Sequence, residues 1–401
     1  MRDTDVFRSL LGLTDLWEVT LVDLQLERSC VFVHVDYVGV LTCPVCGADC
    51  ATYDHSDERK WRHLDTMGFA TFVVCRVPRS NCSDHGVKQL EVPWASSKSR
   101  FTRGFEDWTI RVLQLTKSQI RSARLLGLSG DQVHDIMHRA VNRGLSVRKL
   151  GQVDHVSVDE KSFQRGQKFA TIVCDVGKKR VLEVQEGRDE SAALSAFSLV
   201  PAPEDVKTVT LDMAESYRNA AMIHFQKADL VHDRFHIAAM LGKAVDKTRK
   251  AEVKKHPELK DTRFVWLRNP ETHSDSQKQI FESLVKTELK TAEAYAFKQI
   301  FKQFFEQDEV IEAAEFFADW YNELAKRDLP QMHKVANTFQ KNVQGLLNYV
   351  KWKITNAYAE AVNALIQEIK TIARGFRRFE NFRIAILFFL GKLELSPYKY
   401  R

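Results

Sequence analysis

The sequence predicts an α+β protein built of several domains. Three observations support this: strand-like alternation of apolar and polar residues near the start, a series of short strand-like and helix-like segments in the middle, and long charged segments of helical period beyond them. At 401 residues, the chain is also too long for one ordinary hydrophobic core. We expect five successive parts, at residues 1–92, 93–150, 151–240, 241–345 and 346–401.

The composition is that of a folded, soluble protein, with 44% hydrophobic and 28% charged residues. No run of about 18 or more apolar residues appears, and no charged segment followed by an apolar one opens the chain. We therefore expect neither membrane insertion nor secretion, and we expect the protein in the cytoplasm. The formal net charge is only +6, so local clusters of basic residues matter more than the total.

The first part, 1–92, is predicted to be rich in β-structure. Two segments of alternating apolar and polar residues, at 16–23 and 29–36, predict a β-hairpin or a small sheet. The chain has seven cysteines, an odd number. In a chain without a secretory leader, an odd number argues against a disulfide framework and favours metal ligands or free thiols.

Two motifs in this part have the spacing of a zinc site. Cys43-Pro-Val-Cys46 and Cys82-Ser-Asp-His85 are each followed by glycine, and 36 positions separate the two motifs (82 − 46). Two such pairs supply the four ligands of a closed tetrahedral zinc site. Because the protein fills all four positions, the predicted zinc is structural rather than catalytic.

Two alternatives to this zinc site stay open. Either motif alone is also compatible with a loop cysteine and an unrelated surface histidine. In addition, Cys75 is a rival for one of the four ligand positions, and Cys50 is the next rival.

The second part, 93–150, predicts a helix-turn-helix module. Ala123 is a small residue inside the first helix, and Gly127 marks the turn four positions later. Val133 and Ile136 are apolar anchors of the second helix. The remaining side chains of that helix would be free to face a DNA groove. They are Gln132, His134, Asp135 and Arg139. The alternative is an ordinary helical hairpin that docks on protein.

The third part, 151–240, predicts a sheet with acidic residues at strand ends. Three antiparallel strands are expected at 155–163, 167–175 and 180–185, and the later elements are expected at 189–199, 206–212, 216–225 and 228–233. The resulting order β-β-β-α-β-α-β is typical of a ribonuclease-H-like fold, in which the first and fourth strands are neighbours. Asp159 and Asp212 would therefore meet, although 53 positions separate them (212 − 159).

The fourth part, 241–345, predicts an all-helical insertion into this α/β core. Helices are expected at 238–255, 274–307 and 309–326, where apolar and aromatic residues recur at helical spacing. We expect the aromatic residues, such as Phe301, Phe304 and Trp320, to lie in a core rather than on a base-stacking surface.

The last part, 346–401, predicts a helix from about residue 353, for which Asn356 can supply the N-cap. Its buried stripe is expected to consist of Val362, Leu365, Ile366 and Ile369. Glu360 and Asn363 are three positions apart and so share a second face. A basic and aromatic run follows, and then an apolar helix at 384–393.

Asp159, Asp212 and Glu360 are the candidate catalytic carboxylates. Their hard oxygen ligands suit Mg²⁺, with Mn²⁺ as a possible substitute. Two such ions about 4 Å apart could activate a water or a 3′-hydroxyl and stabilise the leaving oxygen in an in-line phosphoryl displacement. The alternative for Glu360 is a solvated helix residue. Glu160 points to the opposite strand face and is expected to be structural or solvated.

Asp233 and His236 form a second candidate group, three positions apart after the fifth strand. A carboxylate and an imidazole at this place could support the metal site or orient the scissile phosphate. A supporting hydrogen-bond network or a helix cap explains the pair equally well.

Several motifs together resemble a known family. They are Cys43-Pro-Val-Cys46-Gly, Cys82-Ser-Asp-His85-Gly-Val, Val92-Pro-Trp-Ala, Arg100-Phe-Thr-Arg-Gly-Phe-Glu-Asp107, Val158-Asp-Glu-Lys-Ser, Asp233-Arg-Phe-His, Glu360-Ala-Val-Asn363 and Gly375-Phe-Arg-Arg-Phe-Glu-Asn-Phe-Arg383. Over nearly its whole length, the chain resembles the bacterial insertion-sequence transposases of the ISL-three family. The resemblance implies a zinc-binding module, a helix-turn-helix, and a DDE transposase domain with a helical insertion before its last acid.

Carried over by motif, the family's acids fall on Asp159, Asp212 and Glu360, and its D-x-x-H element falls on Asp233 and His236. There are two small departures from the family pattern. Cys75 precedes a lengthened turn, which bears on the choice of zinc ligands, and alanine follows Glu360 where glycine is common.

The resemblance implies a nucleoid-associated enzyme that binds the terminal inverted repeats of its element and then cleaves and joins DNA strands. We expect a homodimer or a higher oligomer on double-stranded DNA. Candidate contacts to the DNA backbone near the active site are Lys370, Arg374, Arg377, Arg378 and Arg383. The main alternative is a DNA-binding regulator or domesticated relative without catalysis, and a further one is a structure-selective nuclease that never joins strands.

Overall fold

The computed structural model describes residues 2–164, 166, 168–354 and 357–398. The chain divides into two compact units, Met1–Arg148 with Leu393–Arg401 and Lys149–Lys392. Within the described residues, no helix is both long and apolar enough to cross a membrane.

The first unit begins with α1 (Asp3–Leu10) and two small sheets. The strands are β1 (Trp17–Gln25), β2 (Cys30–Tyr37), β3 (Ala51–His55), β4 (Arg59–Arg62), β5 (Ala70–Cys75), β6 (Pro78–Cys82) and β7 (Gly86–Gln89). The sheet orders are β1-β2-β5-β4 and β3-β6-β7. The predicted hairpin is confirmed, because β1 pairs antiparallel with β2. Its alternating residues bury one face around Trp17, Trp61 and Trp94, whose rings pack edge to face.

Three helices follow: α2 (Arg103–Thr116), α3 (Gln119–Leu126) and α4 (Gly130–Val147). Each begins at a hydroxyl N-cap, since the side chains of Thr102, Ser118 and Ser129 accept hydrogen bonds from the first turn. The turn between α3 and α4 lies at Gly127, which has a φ of +64° that glycine adopts without steric cost. The predicted helix pair and turn are therefore present.

The second unit is built on one five-stranded sheet. Its strands are β8 (His155–Gln164), β9 (Lys168–Asp175), β10 (Arg180–Glu186), β11 (Thr208–Leu211) and β12 (Asp229–His232), in the order β10-β9-β8-β11-β12. The first three strands are antiparallel, and β11 is parallel to both β8 and β12. This is the predicted ribonuclease-H-like order. The helices α5 (Glu190–Phe197) and α6 (Glu215–His224) pack beside it, around Phe197 and Tyr217.

The helical insertion has its own aromatic core. Its helices are α7 (Arg234–Glu252), α8 (Arg263–Leu267), α9 (Asp275–Leu284), α10 (Lys290–Ile300), α11 (Val310–Ala325), α12 (Pro330–Lys341) and α13 (Val343–Trp352). Phe301 and Phe304 are fully buried and Trp320 is 3% exposed, so the prediction that these aromatics form a core is confirmed.

The single helix predicted at 274–307 is wrong. The chain leaves the helix after Leu284 and re-enters one at Lys290, and residues 301–306 form a 3₁₀ segment. The Thr287 hydroxyl donates to the carbonyl of Leu284 at 2.5 Å, which gives the backbone a local alternative to the helix. Because the chain bends there, both Leu284 and Leu289 are buried.

The last two helices are α14 (Ala357–Ile372) and α15 (Phe379–Leu390). Val362, Ile366 and Ile369 are buried as predicted, but Leu365 is 36% exposed because it lies at the edge of this stripe. The apolar helix predicted at 384–393 begins earlier, at Phe379. Asn356, the predicted N-cap of α14, lies outside the described residues.

Candidate active site and zinc site

The four residues predicted to bind zinc lie together in the first unit. Their ligand atoms are all within 4.8 Å of one another. The sulfurs of Cys46 and Cys82 are 3.8 Å apart, and Nδ1 of His85 lies 3.6 Å from the sulfur of Cys82 and 3.8 Å from that of Cys43. Thiolates at a zinc–sulfur distance of 2.3 Å in a tetrahedron are about 3.8 Å apart. The group therefore has the spacing to hold one zinc ion.

The two rival cysteines lie outside this group. Cys75 belongs to the apolar core of the first unit, and burial raises the pKa of its thiol to about 12. Cys50 donates its thiol to the carbonyl of Ala48 at 3.3 Å, and burial together with the nearby Cys82 raises its pKa. The zinc site would thus be framed by the loop before β3 and the turn after β6.

The two candidate catalytic aspartates lie on neighbouring strands of the second unit. Asp212 directly follows β11 as expected, but Asp159 lies in the middle of β8 rather than at its end, because β8 continues to Gln164 in its pairing with β9. Thr210 of β11 pairs with Ser157 of the parallel strand β8. Asp159 and Asp212 each follow that pair by two residues along their own strands (159 − 157; 212 − 210). Parallel neighbours in register therefore bring the two residues close together at the point where β11 ends.

Asp233 and His236 join these acids from the start of α7. The carboxylate of Asp233 accepts a hydrogen bond from the Phe235 amide at 2.8 Å and so caps the helix. One turn later, Nε2 of His236 lies 3.7 Å from an oxygen of Asp233 and 3.9 Å from an oxygen of Asp159. The predicted helix cap is present, and the same two side chains also border the acidic group.

The carboxylates of Asp159, Asp212 and Asp233 concentrate negative charge in one place. Burial raises the pKa of Asp212, and the negative charges of Asp159 and Asp233 raise it further. The nearby His236 acts in the opposite direction and lowers this pKa. Burial also raises the pKa of Glu160, whose nearest cation is Arg188 at 3.9 Å. A divalent cation would offset this concentration of negative charge, and the carboxylate oxygens are the donors that Mg²⁺ prefers.

Helix α14 also contacts Asp159. The side-chain amide of Asn363 on α14 donates to Oδ2 of Asp159 at 2.5 Å, and the ammonium of Lys370 donates to the carbonyl of Ser162. Since Ser162 and Asp159 are both on β8, α14 lies along this strand. Glu360 belongs to α14, three positions before Asn363, but its side chain lies outside the described residues.

The candidate DNA-binding residues of α4 are not equally available. His134 is half-buried and Asp135 is exposed, whereas the Gln132 side chain accepts the amide of Ser129 at 2.9 Å in a capping box. Arg139 was expected to face a groove freely, but its guanidinium donates to Glu106 at 2.7 Å. A DNA contact by Arg139 stays a prediction.

The basic residues near the C-terminus also divide into two groups. Arg374, Arg377 and Arg378 are exposed. Arg383, in contrast, makes two hydrogen bonds to the carboxylate of Glu183, at 2.7 and 2.9 Å. Since Glu183 is almost buried, this bidentate ion pair connects α15 with β10.

Sequence reasoning missed Glu106, which is 1% exposed within α2. It accepts hydrogen bonds from Ser99 at 2.9 Å and from Arg139 at 2.7 Å, and Arg143 lies 3.8 Å away. A signal was available: Glu106 lies among the apolar residues of α2, directly after Phe105, where a carboxylate requires a buried partner.

Replacing Arg139 tests which role this residue has. We expect Arg139→Met to destabilise the packing of α2 on α4 by about 2 kcal/mol, because the buried carboxylate of Glu106 loses its main partner. The loss is partial, since Arg143 still lies near Glu106. Hydrogen exchange at the protected amides of both helices should then be roughly 30-fold faster. Arg124→Met, at an exposed position of α3, is the matched control and should leave exchange unchanged. Unchanged exchange in Arg139→Met combined with weaker DNA binding would instead make Arg139 a DNA contact.

Three family models match this chain. One described as "Transposase" matches residues 156–386, which is more than half of the chain. One for the zinc-finger of transposase IS204/IS1001/IS1096/IS1165 matches residues 40–85, and one for the helix-turn-helix domain of transposase family ISL3 matches residues 90–141. The three matches follow one another in the order in which the fold presents these modules.

Two curated relatives align with most of this chain, and each alignment spans a similar share of both proteins. The transposase for insertion sequence element IS1001 of Bordetella parapertussis is 24% identical over 360 residues, which span 86% of this chain and 88% of the relative. The transposase for IS1557 of Mycobacterium tuberculosis is 22% identical over 419 aligned positions, which span 94% and 93% respectively. With its core, zinc finger and helix-turn-helix all matched, the chain belongs to the ISL3 family of insertion-sequence transposases.

Proposed function

We propose that this transposase cleaves and joins DNA strands at a divalent-metal site formed by Asp159, Asp212 and Glu360, with Mg²⁺ as the expected ion. One observation supports this above the others: Asn363 donates to Asp159 across 204 positions of sequence. The helix that contains Glu360 therefore lies against the strand that contains Asp159. Glu360 precedes Asn363 by three positions, so helix geometry favours the same face for both.

The chain's own residues would hold and orient the reacting groups. Asp159 is fixed through both oxygens, because Oδ1 accepts the Glu160 amide at 2.8 Å and Oδ2 accepts Asn363. Asp212 is held by the Ala214 amide at 2.9 Å. When bound, divalent cations would activate the attacking oxygen and stabilise the leaving oxygen of the phosphodiester. His236 lies beside Asp159 and could donate to a phosphate oxygen.

DNA binding is proposed to involve both units. The zinc module and α4 would bind the terminal inverted repeats of the element, with His134 and Asp135 towards the bases. The exposed residues Arg374, Arg377 and Arg378 would bind phosphates, which carry affinity rather than sequence discrimination. Joining two element ends to one target needs two active sites, so we propose a homodimer or a higher oligomer on DNA.

Metal removal tests the proposal directly. We expect the protein to nick a duplex that contains an element end when Mg²⁺ is present, and to lose this activity in a buffer without added divalent cations, which leaves a structural zinc in place. Because the DNA-binding surfaces do not use these ions, fluorescence anisotropy should show binding of the same duplex in both conditions. Adding Mn²⁺ should restore cleavage. Cleavage that persists without added divalent cations would contradict the metal site, and tight binding without cleavage in any metal would indicate a DNA-binding protein without catalysis.

A further inference from the structure

A cavity of about 720 Å³ lies along one side of α7, within the helical insertion. The helix α8, the end of α10 and the 3₁₀ segment Phe301–Glu306 form the opposite wall. Its nearest residues to the active site are Arg234 and Phe235, which directly follow Asp233. We call this cavity the α7 groove. From Phe235 to Lys250 it follows 15 positions of helix, which is about 22 Å.

The α7 groove is strongly basic. Five lysines and two arginines line it, against one carboxylate, Asp246. That carboxylate is already neutralised, since it lies 2.8 Å from Arg249, 3.1 Å from Lys250 and 3.6 Å from Arg263. Lys243 and Lys247 are both exposed, and within the described part of the chain neither side chain makes a hydrogen bond or an ion pair. The groove therefore presents unneutralised positive charge to a ligand.

The groove also offers aromatic surface at its active-site end. Phe235 is 60% exposed and lines the groove, so its ring is available to a ligand. Its ring meets that of His236 edge to face, with centroids 6.3 Å apart. Further in, the guanidinium of Arg234 lies 4.9 Å from the ring centre of Phe305. An exposed ring beside basic side chains is the combination with which proteins bind unpaired nucleotides.

The floor of the groove is kept open by small residues. Ala238, Ala239 and Gly242 lie on the side of α7 that lines it. A Cβ at Gly242 would lie 3.3 Å from Leu267, so a larger residue there would displace α8, which forms part of the opposite wall. At one end of the floor, the buried ammonium of Lys298 donates to the carbonyls of Trp266 and Leu267, which keeps a positive charge inside the wall.

We propose that the α7 groove binds a short unpaired stretch of DNA strand that leaves the active site, with one base stacked on Phe235 and phosphates near Lys243 and Lys247. The inference rests on the proposed function, because only that function brings a DNA strand end to Asp159 and Asp212. A concave site of this size suits single nucleotides, whereas a duplex is too wide to enter it. The charge of the groove matches a phosphate backbone.

The test measures binding by the full-length protein in a buffer without added divalent cations, so that no strand is cleaved while a structural zinc stays in place. The probes are labelled oligo(dT), a blunt duplex, and the same duplex with a single-stranded extension. We expect Phe235→Ala and Lys247→Glu each to weaken binding of oligo(dT) and of the extended duplex by roughly tenfold, while binding of the blunt duplex stays unchanged. Phe235→Trp should preserve binding, because a larger ring stacks as well.

Controls separate the groove from general charge effects. Lys334→Glu changes the same charge at an exposed position of α12 outside the groove and should leave binding of oligo(dT) unchanged. If Phe235→Ala and Lys247→Glu both bind oligo(dT) like the wild type, the proposal is wrong. It is also wrong if these variants lose binding of poly-glutamate but not of oligo(dT), since the ligand would then be an acidic peptide.

The binding test distinguishes a failure of the groove proposal from a failure of the proposed function. A wild-type protein that never cleaves, but whose binding of oligo(dT) depends on Phe235, would overturn the proposed function and keep the groove. A protein that cleaves normally, and whose groove variants bind single strands normally, would overturn only the groove.

Discussion

Asp159→Asn and Asp212→Asn are each expected to lower metal-dependent strand cleavage by about 10³-fold or more while leaving DNA binding intact. The amide has the size of the carboxylate, and its single oxygen can still accept one hydrogen bond: from the Ala214 amide at position 212, and from either Asn363 or the Glu160 amide at position 159. It removes the negative charge that would hold the cation. Single-turnover nicking of an end-containing duplex in Mg²⁺ measures the loss, and anisotropy with the same duplex measures binding.

The fold of these variants should be preserved, because burial already disfavours the charge of Asp212 and a neutral amide avoids that cost. Asp319→Asn, at an exposed position of α11, is the matched control and should cleave like the wild type. Glu360→Gln should behave like the other two acids. Wild-type cleavage by either Asp159→Asn or Asp212→Asn would remove that residue from the proposed metal site.

The approach of Asp159 to Asp212 could be predicted because each step depends on a local sequence pattern or on the order of strands in the sheet. Strand period and turn residues identify β8 and β11, which contain Asp159 and directly precede Asp212 respectively. The order of the sheet then makes these strands neighbours. For α14, the three-residue spacing from Glu360 to Asn363 predicts a common face, and the contact of Asn363 with Asp159 places this helix beside β8. The position of the Glu360 side chain stays a prediction.

The sequence could not identify ion-pair partners that lie far apart along the chain. Arg383 has the local features of an exposed DNA contact, yet its partner Glu183 is 200 positions earlier. Arg139 likewise binds Glu106, which is 33 positions away on another helix. Periodicity ranks positions on one helix by face, but it does not identify which distant charge will neutralise an arginine. Single-sequence reasoning therefore overestimates the number of free cations.

A different limit applies to the break in the predicted helix 274–307. Helix propensity favours continuity through its charged residues, and no glycine or proline marks an end there. Tertiary packing decides the outcome, because the bend lets Leu284 and Leu289 both enter the aromatic core of the insertion. The α7 groove depends on this bend, since α10 and the 3₁₀ segment that follow it form one of its walls.

Loss of zinc is expected to unfold the β3-β6-β7 sheet without affecting the second unit. This sheet has three strands of four or five residues, and most residues of β3 and β7 are exposed. It buries too little apolar surface to be stable alone. Structural zinc contributes about 10–16 kcal/mol in zinc-finger peptides at neutral pH. We therefore expect Cys82→Ser to lose one bound zinc per chain and the hydrogen-exchange protection of β6 and β7.

The matched control is Cys50→Ser, which changes a neighbouring thiol outside the group of four and should retain both zinc and protection. Zinc content by elemental analysis and exchange by mass spectrometry measure the two effects on the same sample. Because the ion would join the loop before β3 to the turn after β6, its loss should also weaken binding of an end-containing duplex, while exchange in β8 and β11 stays at the wild-type rate. A Cys82→Ser protein that keeps its zinc and its protected sheet would mean that Cys50 can replace Cys82, and the ligand set would then have to be reassigned.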